Sequence, residues 1–78
     1  MSILKIMFRN LRQIEKFSNI ATKYGNVIVA DGSIQVDGES IVGLTAMGLN
    51  KILEVKFADK DRIVQFESEV AALDIVRG

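Results

Sequence analysis

The sequence predicts an α+β domain in the order β-α-β-β-α-β-α, with a four-stranded sheet covered on one face by helices. Three observations point to it. Apolar and polar residues alternate in "ILKIMF" and "KILEVKF"; apolar residues recur every three or four positions over residues 11–24 and again after residue 60; and Asp31-Gly32 separates two short β-type runs. Strands and helices interleaved this way bury their apolar sides best as two layers, one sheet and one set of helices.

In "ILKIMF" Leu4, Ile6 and Phe8 point one way and Ile3, Lys5 and Met7 the other, as a strand buried on one side requires. From residue 11 the period lengthens. Leu11, Ile14, Phe17, Ala21 and Tyr24 form a helical stripe, with Asn10 placed to cap it and Gly25 to stop it. Val27 to Ala30 and Ser33 to Val36 read as paired strands joined by Asp31-Gly32, a dipeptide that tolerates the positive φ of a tight turn. Asp37-Gly38 makes another turn. Ser40 then opens a short apolar helix, Ile41 to Met47, that Gly48 ends. Leu53, Val55 and Phe57 alternate with Glu54 and Lys56 in a fourth strand. Asp59 or Asp61 is placed to cap a last helix over residues 60 to 76, whose buried stripe is Ile63, Phe66, Val70 and Leu73.

The 78 residues form a single domain, 1–78, near the lower size limit for folding without a metal or disulfide. The chain has neither Cys nor His, which excludes thiol chemistry, zinc sites and imidazole acid-base catalysis. Ten basic and ten acidic residues cancel, removing the field that draws proteins to nucleic acid or anionic lipid. The apolar opening is too short for a signal or spanning segment, so a cytoplasmic protein with no nucleic-acid or membrane partner is expected.

Little in the sequence suggests catalysis. The carboxylates are scattered, with no spacing that suggests a matched acid-base pair, and the glycines lack the strand-loop-helix signature of a phosphate cradle. No cofactor, no metal and no enzymatic activity are expected. Ser40 is the residue with two readings. As a helix cap its oxygen accepts a backbone N–H, a contribution of about 1 kcal/mol. As a hydroxyl at a helix start it is also a place where an added phosphate meets free N–H groups. A helix as short as Ile41 to Met47 cannot bury all of its apolar residues, so part of Ile41, Val42, Leu44 and Met47 is expected to form a docking patch, with Val42 the preferred exposed member.

The stretch "ATKYGNVIVADGSIQVDGESIVGLTAMGLNK" resembles the centre of HPr, the histidine-containing phosphocarrier family of the bacterial sugar phosphotransferase system. The matching residues are Lys23-Tyr24, Ser40-Ile41-Val42-Gly43 and Met47-Gly48, and the element order is that of the family. The resemblance covers essentially the whole chain, is most specific in the middle, and implies an HPr-like open-faced β-sandwich. Aligned on Tyr24, Asn10 stands where the family carries its phosphorylated histidine, and Arg12 stands at the family's arginine. An amide nitrogen has no usable lone pair, so Asn10 and Arg12 mark a vestigial site unable to relay phosphate.

The resemblance therefore implies a regulatory or interaction protein, similar to the catabolite-repression paralogue of HPr. Ser40 would be its regulatory phosphorylation site, and Ile41, Val42 and Met47 its partner-binding surface. The implied partners are HPr kinase, phosphotransferase-system enzymes or a transcription regulator. Glu39 directly before Ser40, and Val42 and Thr45 in place of methionines common in the family, depart from its pattern. Two alternatives remain: a small α+β ligand-binding module, and a purely structural interaction protein without phosphorylation.

Overall fold

The computed structural model describes the backbone of residues 2–77 and the side chains of residues 4–77; the outward placement expected for Ile3 lies outside the described side chains. The elements are β1 (Ser2–Ile6), α1 (Leu11–Tyr24), β2 (Val27–Asp31), β3 (Ile34–Asp37), α2 (Ile41–Met47), β4 (Leu53–Phe57) and α3 (Ile63–Ala71). The α+β class and the expected order β-α-β-β-α-β-α are both present. The strands form one antiparallel sheet ordered β1-β4-β2-β3.

Strand alternation decides which face is buried. Leu53, Val55 and Phe57 of β4, Val27 and Val29 of β2, and Ile6 of β1 are all buried, and they share one cluster with residues from all three helices. That cluster fixes the helices on a single side of the sheet. From α1 it takes Ile14, Phe17, Ile20 and Ala21; from α2, Leu44 and Met47; from α3, Phe66 and Val70. Aromatic rings knit the centre: Phe57 and Phe66 stack at 4.5 Å between centroids, and Phe17 meets Phe8 edge-on at 5.5 Å. Pairs of this kind add about 0.5–1.5 kcal/mol beyond the area they bury.

A clasp of polar groups closes the far end of α1 against α3. Glu69 accepts from both the Lys23 ammonium and the Tyr24 hydroxyl, while the Arg62 guanidinium donates to the Tyr24 carbonyl at 2.6 Å and lies 5.1 Å from the Tyr24 ring centroid. The Lys-aromatic pair is thereby engaged in holding the two helices together.

Three expectations are corrected. The hairpin loop is Gly32-Ser33, not Asp31-Gly32, because Asp31 pairs with Ile34 and the left-handed φ of 61° falls on Gly32 as first loop residue. The last helix is shorter than residues 60 to 76 and is capped by neither aspartate. Asp59 instead accepts from the Asp61 amide at 3.1 Å and the Arg62 guanidinium at 2.7 Å, which makes it a turn-former ahead of a helix whose cap position is Arg62. Beyond Ala71 the chain turns through Asp74, at φ 59°, and Ile75-Val76 run beside β1, with Val76 bridging Ile6. This course buries Ile75 completely, which favours it by removing apolar surface from water.

Leu11 also departs from the stripe assigned to it. It is 52% exposed, although Phe8 and Ile14 on either side of it are fully buried.

Candidate functional site

The start of α1 is built as the sequence suggests. Asn10 Oδ1 accepts the Gln13 N–H at 2.9 Å, and Gln13 Oε1 accepts the Arg9 N–H at 2.8 Å, so one side-chain pair satisfies two donors. Arg12 lies on the same first turn and makes no hydrogen bond or ion pair among the described residues. Its neighbour Arg9 is engaged instead, donating to the Asp74 carboxylate at 2.8 Å, while Gln13 Nε2 reaches the Leu73 carbonyl at 3.4 Å. The C-terminal turn thus fastens the helix start.

At the second site, Ser40 Oγ accepts the Gly43 N–H at 3.0 Å, and the Ser40 carbonyl takes the Leu44 N–H at 2.9 Å. The hydroxyl of Ser40 donates to no group among the described residues, and Ser40 is partly exposed. Gly43 sits in a tight place. A Cβ at this position would stand 3.1 Å from Val36 Cβ and 3.2 Å from Ser40 Oγ, pressing on both the sheet and the cap. Gly38 is tighter still, since a Cβ there would meet Val27 Cγ1 at 2.7 Å.

The apolar residues of α2 divide. Val42 is 81% exposed and Ile41 41% exposed, whereas Leu44 is fully buried. Met47 corrects the sequence reading: at 7% exposure it belongs to the core, because it falls three residues after Leu44 on the inward face. The accessible surface beside Ser40 is therefore Ile41 and Val42, without Met47.

Alpha-helical register relates the two sites. The start of α2 is held to the middle of α1, where Ser18 Oγ donates to the Glu39 carbonyl at 2.7 Å. Just past its end, the Asn50 N–H donates to the Phe8 carbonyl at 2.7 Å, beside the start of α1. The two helices therefore run in opposite senses, with Asn10 and Ser40 toward opposite ends of the pair. At a rise of 1.5 Å per residue, the interval from residue 10 to residue 18 spans about 12 Å. Ser18 was not singled out from the sequence. The only available signal was a polar residue adjoining the apolar stripe of α1.

Among the described residues no group of three or more His, Cys, Asp or Glu is placed to hold a metal ion, and no helix is long and apolar enough to cross a membrane. Comparison of the chain with protein-family models, with curated proteins and with solved structures returned no match.

Proposed function

We propose that the chain is an HPr-like protein of the phosphotransferase system that does not relay phosphate through residue 10 and acts by protein contact through Ser40 and the exposed part of α2. The observation that carries this reading is the pairing of a hydroxyl and an apolar patch. Ser40 keeps its O–H proton uncommitted while its lone pair caps α2, and Val42, two residues on, is the most exposed of the large apolar side chains described.

On this reading the role is binding rather than catalysis. A serine kinase would transfer the γ-phosphoryl group of ATP to Ser40 Oγ, the hydroxyl proton passing to the kinase and ADP departing. The phosphate would then stand beside Ile41 and Val42, so a partner could read charge and apolar contact together. Residue 10 offers no such chemistry, since the amide oxygen of Asn10 is a cap and its nitrogen is delocalised.

Incubation with HPr kinase and ATP, followed by intact-mass measurement, tests the proposal. The expected result is one added phosphoryl group that is absent in Ser40→Ala. If the wild-type mass does not change, the serine-switch reading fails and a purely structural interaction role takes its place.

A further inference from the structure

We propose that Ser18 is a positioning residue for Ser40, fixing the modifiable hydroxyl against α1; this rests on the reading of Ser40 given above. Ser18 is the buried polar residue of the described fold, at 5% exposure, and it lies on the face of α1 that meets the start of α2. Its hydroxyl donates to the carbonyl of Glu39, the residue directly before Ser40.

Gly43 and Leu44 of α2 donate to Ser40 in forming the cap itself, and the other polar bonds to this loop come from the sheet side. The Gly38 N–H donates to the Val27 carbonyl at 2.7 Å, the Glu39 N–H to Asp37 Oδ1 at 2.9 Å, and the Ser40 N–H to the Asp37 carbonyl at 3.0 Å. All three tie residues 38–40 to β2 or to the end of β3. Among the bonds described, the Ser18 bond is the one that ties the loop to α1. It fixes a different degree of freedom: how far the chain directly before Ser40 stands from α1.

The backbone of α1 supports the arrangement. Ser18 spends its side chain on Glu39, and its own carbonyl additionally receives the Thr22 hydroxyl at 2.9 Å. A serine that only filled space in a helix stripe would be replaceable by alanine, an apolar residue of better helix propensity. Here the hydroxyl satisfies a carbonyl that lies between two turns and has no partner within its own element.

The test compares wild type with Ser18→Ala by residue-resolved amide hydrogen exchange and by steady-state phosphorylation with HPr kinase and ATP. Ser18→Ala is expected to speed exchange at Gly43 and Leu44 about fivefold to tenfold, the size of one lost net hydrogen bond, while amides of β4 keep their wild-type rates. It is also expected to raise KM for the protein several-fold with kcat unchanged, because the hydroxyl is displaced rather than altered. Uniform acceleration of all amides, or an unchanged rate at Gly43, would overturn the proposal, as would an unchanged KM. If wild type itself accepts no phosphate, the function proposed for Ser40 falls, and the exchange measurement decides the role of Ser18 on its own.

Discussion

Asn10 and Ser40 perform the same mechanical task and differ in everything else. Each opens a helix from an extended backbone, and each side-chain oxygen accepts the N–H three residues on, at 2.9 Å and 3.0 Å. Asn10, however, caps 14 residues that bury Ile14, Phe17, Ile20 and Ala21, while Ser40 caps seven residues that bury Leu44 and Met47. The first cap belongs to the element that holds the core together; the second belongs to a short element held at its edges. Capping also uses only a lone pair. For the amide that leaves no nucleophile, whereas the serine keeps a hydroxyl, and on the proposed function the same structural duty leaves residue 10 without phosphate chemistry and Ser40 open to modification.

The largest test of that contrast removes the supports. Phe17→Ala is expected to cost about 3–5 kcal/mol and Leu44→Ala about 2–5 kcal/mol by denaturant unfolding. In native-state hydrogen exchange, Phe17→Ala should lower protection throughout the molecule, and Leu44→Ala should do so first in α2. Equal global losses from both would mean that α2 is as integral as α1. Next comes Gly38→Ala, where Val27 leaves no room for a methyl and overpacking is expected to cost about 1–3 kcal/mol, read as a lower denaturation midpoint.

The caps themselves should be alike. Asn10→Ala and Ser40→Ala are each expected to lose about 1 kcal/mol, with the double variant losing the sum, because the two sites share no partner. Unequal losses would show that one cap does more than satisfy an N–H. Neither cap titrates, so the pH dependence of stability should come from elsewhere and be the same in Ser40→Ala as in wild type.

Three groups contribute to its outer limits, Asp59 and Glu69 on the acid side and Tyr24 on the basic side. The hydrogen bond from the Arg62 guanidinium holds the Asp59 carboxyl below its usual range. Hydrogen bonds from Lys23 and then Tyr24 hold the Glu69 carboxyl below the usual carboxylate range. With the folded pKa below the unfolded one, the stabilisation is complete above the ordinary carboxylate pKa and is lost as pH falls through the folded value. Tyr24 is pushed up, first by its bond to Glu69 and then by burial, so its contribution holds below an unfolded pKa of about 10 and is lost as pH rises through the folded value. Thermal unfolding across pH should show both limbs, and Glu69→Gln should shrink the acid one, leaving the share of Asp59, and also weaken the basic one, because it removes the carboxylate that raises Tyr24. Smallest is Arg9→Gln, expected to cost under about 1 kcal/mol and less still at high salt, since the pair with Asp74 is exposed on both sides.

Much of this architecture could be read from the chain, and the places where it could not share a cause. The bounds of α1 and α2 followed from residues that act locally: Asn10 and Ser40 as caps, Gly25 and Gly48 as stops. Strand β4 followed from strict alternation. The hairpin loop was off by one residue, because Asp and Gly both suit a turn and only cross-strand pairing chooses between them. The last helix ends at Ala71, short of what its sequence allows, since "AALDIV" is as compatible with a helix as with a strand until Ile6 and Lys5 offer a partner.

At the candidate site the division is the same. That residue 10 lacks an imidazole and that a serine precedes a short apolar helix are properties of the sequence itself, because capping and nucleophilicity reside in single side chains. Which residues of α2 face outward, that Met47 is buried while Val42 is not, and that Ser18 reaches across to Glu39 were decided by packing. A seven-residue helix has too few turns for periodicity to name its inward face, and a contact between residues 21 apart exists only once the sheet has brought the two helices together.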